Sequence, residues 1–113
     1  MASPDQAEQH AGVLEVLVRD GPGEVVLALV GEADLGTASI LETALGAVAA
    51  NGHRRVVLDL GGLGFIDASC LNILATAQRA LEQQDTQFVV RAPSPSVVRL
   101  LGIFGWESWL DSR

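Results

Sequence analysis

Residues 56–74 read VVLDLGGLGFIDASCLNIL. The run Val56-Val57-Leu58-Asp59-Leu60 is apolar and β-branched without alternation, the pattern of a strand covered on both faces, so it is predicted to lie centrally in a sheet. Gly61 to Ile66 reads as a turn region because glycine punctuates it. From Asp67 onward, Leu71, Leu74, Ala77 and Leu81 recur at helical spacing and define an amphipathic helix that ends between Gln83 and Thr86.

Upstream, Val13 to Arg19 alternates, with Val13, Leu17 and Arg19 on one face and Leu14, Val16 and Val18 on the other. Gly21-Pro22-Gly23 then turns the chain into a second run, Glu24 to Val30, so the opening is a β-hairpin. Gly31 to Gly36 is a connection. Ile40, Leu41, Ala44, Leu45 and Val48 follow at helical spacing behind Thr37 as N-cap, and the helix stops near Asn51-Gly52. Downstream, Phe88-Val89-Val90 reads as another inner strand. Ser94-Pro95 supplies a cap and a first-turn proline for a helix through Leu101, closed by Gly102, and Ile103 to Leu110 packs two tryptophans. After the hairpin, helices and strands alternate, so the later strands need crossovers and are predicted to lie parallel. The expected architecture is α/β: one domain with a mixed sheet of about four to five strands and helices mainly on one side.

The chain's 113 residues suit a single core. Residues 1–12, polar and without periodicity, are expected to be a flexible N-terminal tail before a domain over 13–113. No apolar run approaches the roughly 20 residues that span a bilayer. The first residues lack the basic start and apolar stretch of a secretion signal, so no membrane insertion and a cytoplasmic location are expected. Cys70 is the single cysteine and cannot form an internal disulfide. Seven arginines, no lysine and fourteen carboxylates give a net charge of −7. That charge opposes approach to nucleic acid phosphates and to anionic membrane, leaving protein surfaces as the natural partners. Arginine without lysine is also the coding bias of a GC-rich bacterial genome.

No catalytic constellation emerges. His10 falls in the tail and His53 in a turn, and neither pairs with Cys70 or a serine as base and nucleophile, so the chain is not expected to be an enzyme. One cysteine and two distant histidines do not make a metal site. Gly61-Gly62-Leu63-Gly64 lacks the Lys-Ser/Thr ending of a phosphate-binding loop, and no cofactor is expected. The informative stretch is Asp67-Ala68-Ser69-Cys70-Leu71, a carboxylate and a hydroxyl in the first turn of a helix. Asp67 can accept from the free N–H groups of Ser69 or Cys70, a cap contributing about 1 kcal/mol. A phosphate on Ser69 would add about −1.5 to −2 charges at a helix N-terminus that tolerates them.

Together, VVLDLGGLGFIDASCLNIL and the earlier Gly31-Glu32-Ala33-Asp34-Leu35 followed by Thr37-Ala38 resemble the two motifs of the STAS domain, named for sulfate transporters and anti-sigma-factor antagonists. The resemblance extends from about Val13 to Leu110 in element order. It implies an anti-sigma factor antagonist in which Ser69 is phosphorylated by a serine kinase that is itself the anti-sigma factor. Unmodified protein would capture the kinase and free a sigma factor for transcription, phosphorylated protein would let go, and a serine phosphatase would reset the switch. Asp34, Asp67, Ser69, Cys70 and Asn72 are the docking residues this implies, on a monomer or weak dimer. Ala68 stands where the family has a first serine, and Cys70 and Asn72 stand where small glycines are usual. Three alternatives stay open: a constitutive STAS scaffold or accessory subunit of a transporter or signalling complex, a sensor binding nucleotide or lipid at the same helix end, and a redox role for Cys70, set against simple packing.

Overall fold

The computed structural model describes residues 13–111; the tail expected over 1–12 lies outside them. In chain order the elements are β1 (Leu14–Gly21), β2 (Glu24–Ala33), α1 (Ala38–Ala49), β3 (Arg55–Ile66), α2 (Ala68–Gln83), β4 (Gln87–Arg91) and α3 (Pro95–Phe104), followed by a 3-10 turn at Glu107–Trp109. The strands form one sheet in the order β1-β2-β3-β4. β1 and β2 are the expected antiparallel hairpin, while β2–β3 and β3–β4 are parallel, joined through α1 and α2.

Alternation along the strands sends one set of side chains to the helical side. Val25, Leu27 and Leu29 of β2, Val56, Leu58 and Leu60 of β3, and Phe88 and Val90 of β4 form one core with Leu41, Leu45 and Val48 of α1, Leu71, Leu74 and Leu81 of α2, and Val97 and Leu101 of α3. All three helices therefore cover the same face. Val57 and Val89 are also buried, from the opposite face. The sheet has four strands; a parallel bridge between Val90 and Leu110, backed by the Asp111 N–H donating to the Val90 carbonyl at 2.8 Å, stands where a fifth would begin. The two tryptophans pack as expected, Trp109 edge-on to Phe88 at 5.4 Å and stacked on Trp106 at 4.7 Å.

The glycine-rich segment is not a turn. β3 runs unbroken through Gly61, Gly62 and Gly64 to Ile66. Its register against β2 slips between the pairs Ala28–Asp59 and Val30–Gly62, and again between Gly31–Leu63 and Glu32–Phe65, each time placing one extra residue in β3. A Cβ on Gly62 would come within 3.2 Å of the Leu29 carbonyl oxygen and 3.0 Å of Val30, so glycine here permits close approach of two strands. Gly31 has the opposite relation to β1: at φ +116°, any Cβ it carried would run into the carbonyl oxygen of Val13.

The end of α3 also differs from expectation. The helix passes through Gly102 to Phe104 and is closed by Gly105 at φ +76°. The Trp106 N–H bonds the Leu101 carbonyl at 2.8 Å and the Gly105 N–H bonds the Gly102 carbonyl at 3.2 Å, the paired bonds of a left-handed helix stop. Ser94 caps the other end, accepting from the Val97 N–H, with Pro95 in the first turn.

Candidate functional site

Because β2 and β3 are parallel, their C-terminal ends lie together, and the loops leaving them converge. The Asp67 N–H donates to the Ala33 carbonyl at 3.0 Å, tying the start of α2 to the end of β2. Asp67 itself is extended, and its Oδ1 accepts from the Cys70 N–H at 3.0 Å, one of the two N–H groups expected to receive the cap. The same oxygen accepts the Ser69 hydroxyl proton at 2.7 Å. Partial burial opposes ionisation of Asp67, but the hydrogen bonds from the Ser69 hydroxyl and from the Cys70 and Leu35 backbone outweigh it and hold the carboxyl below its ordinary range. Ser69 is half-buried.

The β2–α1 loop is closed by a reciprocal pair. The Asp34 N–H donates to Thr37 Oγ1 at 2.9 Å, and the Thr37 N–H donates to Asp34 Oδ1 at 3.1 Å. Thr37 is not a side-chain cap of α1: its hydroxyl donates back to the Glu32 carbonyl at 2.9 Å, and the residue is buried. Asp34 takes the capping part, because the loop folds back on itself and brings its carboxylate over the Thr37 N–H.

Cys70 links the two loops from beneath. Its Sγ donates to the Asp34 carbonyl at 3.4 Å, and its side chain is completely buried. Burial, together with the negative charge of Asp67, pushes the thiol up to about 11. This agrees with packing over a redox role and sets aside direct contact of Cys70 with a partner. A thiol held neutral is not the activated group of a redox sensor, and a residue without exposed surface does not itself touch a docked protein.

Asp34, Asp67 and Ser69 thus come together at the C-terminal end of the sheet. Asn72 is exposed one turn along α2 and lines a groove of about 310 Å³ between α1 and α2, with Leu45, Ala49, Ile73 and Ala77. Two residues not singled out from the sequence join the site. Leu35, in the loop, is 79% exposed, and Phe65, paired with Glu32 at the end of β3, is 52% exposed. Each carried a weak signal: Leu35 is an isolated leucine between Asp34 and Gly36, and Phe65 stands an odd number of residues from the inward Val56, Leu58 and Leu60, so alternation turns it outward.

His53 lies at the other end of the sheet, its Nε2 2.7 Å from Asp20 Oδ1 beside the hairpin, so among the described residues no imidazole stands near Ser69. Among the described residues, no group of three or more His, Cys, Asp or Glu gathers as metal ligands, and no helix is long and apolar enough to cross a membrane.

A hairpin followed by two parallel crossovers, with an Asp-capped helix and a Ser beside the converging loops, is the arrangement of a STAS domain. Residues 16–111 match the family model described as Mlab, STAS domain, and the chain belongs to this family. It is 36% identical over 83 residues to the anti-sigma-F factor antagonist RsfB of Mycobacterium tuberculosis, a match covering 74% of this chain and 62% of RsfB. A crystal structure of an anti-sigma factor antagonist from Mycobacterium paratuberculosis superposes with a TM-score of 0.80 at 32% identity, covering 89% of this chain and 87% of that one. The Bacillus cell fate determinant SpoIIAA in its phosphorylated form shares the fold, with a TM-score of 0.71 at 19% identity over 88% of this chain and 89% of that one.

Proposed function

We propose that the chain is an anti-sigma factor antagonist, that it docks a serine kinase acting as anti-sigma factor, and that phosphorylation of Ser69 releases that partner. The observation that carries the reading is the bond from the Ser69 hydroxyl to Asp67 at the start of α2, beside exposed Leu35 and Phe65. The named antagonists among its relatives support it.

The physics of the switch is local. A phosphoryl group replaces the Ser69 hydroxyl proton, so the bond to Asp67 is lost and about two negative charges stand next to a carboxylate. The helix N-terminus offsets part of this, by about 0.3–1 kcal/mol, and the core beneath is untouched. The fold therefore persists, while a partner carboxylate meeting this face is repelled and the phosphate is costly to desolvate in an interface. A serine phosphatase restores the docking form. In this reading the chain is a cytoplasmic, non-catalytic regulator, and Asp34, Asp67, Ser69 and Asn72 border the docked partner, with Cys70 supporting them from below.

The test is affinity capture from native cytosol with wild type and Ser69→Asp side by side, followed by incubation of the retained fraction with ATP and mapping of any phosphate. A serine kinase held by wild type alone, and phosphate on Ser69, support the proposal. Equal retention by both baits, or phosphate elsewhere, returns Ser69 to a helix-start residue and favours a constitutive scaffold.

A further inference from the structure

β1 is the outermost strand, paired only to β2 among the described residues. Its register against β2 is regular over all of Leu14–Gly21, and the Val13 carbonyl accepts from the Glu32 N–H. Antiparallel pairing alternates these directions, so the odd-numbered residues bond β2 while the backbone groups of Leu14, Val16, Val18 and Asp20 point away from the sheet. Of the devices that blunt edge strands, β1 carries only charges, on Glu15, Arg19 and Asp20; it has no lysine, no proline and no bulge. Instead Leu17 is 54% and Val18 56% exposed.

The charges on this edge are arranged symmetrically. Glu15 and Arg19, both exposed, lie two residues either side of Leu17 on the same face of the strand. We infer that β1 pairs antiparallel with β1 of a second copy of this chain, about a two-fold axis through Leu17. In that register Leu17 faces Leu17, Val16 faces Val18, and each Glu15 faces an Arg19 across the junction. The outward backbone groups of Val16 and Val18 bond one another. Sliding the partner strand by two residues in either direction leaves Glu15 and Arg19 opposite uncharged residues, and sliding it by four sets Glu15 against Glu15 or Arg19 against Arg19, so the charges select one register as well as one partner. The result is a continuous eight-stranded sheet with helices on one face. The two Ser69 sites lie at its opposite ends, because each sits at the Leu14 end of its own β1.

The interface is small and its affinity correspondingly weak, so sedimentation velocity of the full chain over a concentration series is the measurement. Wild type is expected to pass from monomer to dimer. Arg19→Glu, which places like charges opposite each other twice per dimer, is expected to weaken association about tenfold or more. The double exchange Glu15→Arg with Arg19→Glu restores it. Val18→Pro, which removes an outward N–H without touching the β2 ladder, weakens it again; circular dichroism and thermal melting check that each variant is folded. A wild type that stays monomeric throughout, or a dimer indifferent to Arg19→Glu, overturns the inference; rescue by the double exchange is the outcome that only reciprocal Glu15–Arg19 pairing produces.

Discussion

Oδ1 of Asp67 holds two donors at once, the Ser69 hydroxyl at 2.7 Å and the Cys70 N–H at 3.0 Å. One carboxylate oxygen therefore both starts helix α2 and positions the hydroxyl proposed as the phosphorylation site. Changing either donor is felt by the other through this atom, so their contributions are coupled.

Asp67→Ala removes the cap and leaves the Cys70 N–H without its acceptor. Stability is expected to fall by about 1 kcal/mol, within the range for lost N-caps. Asp67→Asn keeps an oxygen for the cap and is expected to lose less. Urea denaturation of the three proteins checks the order; equal stability of Asp67→Ala and wild type would show that the cap contributes nothing.

The depressed ionisation of Asp67 has a defined pH signature. Its folded value lies below the unfolded 3.8, so the unfolded state binds more protons on acidification. The carboxylate's stabilisation is fully present above that value and is lost as pH falls through the lower, folded one. Asp67→Asn is expected to flatten this acid limb in denaturation measured from neutral pH downward.

Cys70 has the converse behaviour. With its thiol raised from 9.0 to about 11, the native state keeps a proton that the unfolded state releases, so stability declines as pH rises between these values. At mildly alkaline pH the native thiol is expected to resist a disulfide reagent and to react promptly in denaturant. Rapid native labelling would contradict its burial beneath the Asp34 carbonyl.

Leu35 and Phe65 are predicted to anchor the docked partner. Leu35→Ala and Phe65→Ala each remove apolar surface already in water, so thermal stability should change little. Partner affinity should fall about tenfold for an anchor of hot-spot quality. Calorimetric titration with the captured kinase measures this, and unchanged affinity in both variants would move the docking surface elsewhere.

Gly31 tests the joining of β1 to the site. Alanine at φ +116° meets the Val13 carbonyl, so Gly31→Ala should cost more than about 1 kcal/mol, with the start of β1 displaced. Hydrogen exchange at Glu32, whose N–H bonds Val13, reports the displacement directly.

Much of this molecule was legible from short-range chemistry. Hydrophobic period marked the hairpin, the three helices and the inner strands, because a strand or helix writes its buried face within a few residues. Asp67 could be read as a cap because its acceptor and the Cys70 donor are three residues apart. Ser94-Pro95 was readable for the same reason. The glycine run and Cys70 depend on distant partners, and Thr37 on a loop that folds back within a few residues. Gly62 looks like a turn until Leu29 and Val30 are set against it; then its missing side chain is what lets β3 continue. Thr37 looks like a cap until Asp34 folds over it. Cys70 looks accessible in a helix's first turn until the Asp34 carbonyl, from another loop, closes over its sulfur. Leu63 faces the core only because one extra residue in β3 shifts its register against β2. Local sequence thus determined which elements form and where most of them start, since those choices rest on neighbouring residues. Tertiary structure decided which side chains are exposed at the converging loops, since register and burial are set by contacts across the sheet that no local pattern records.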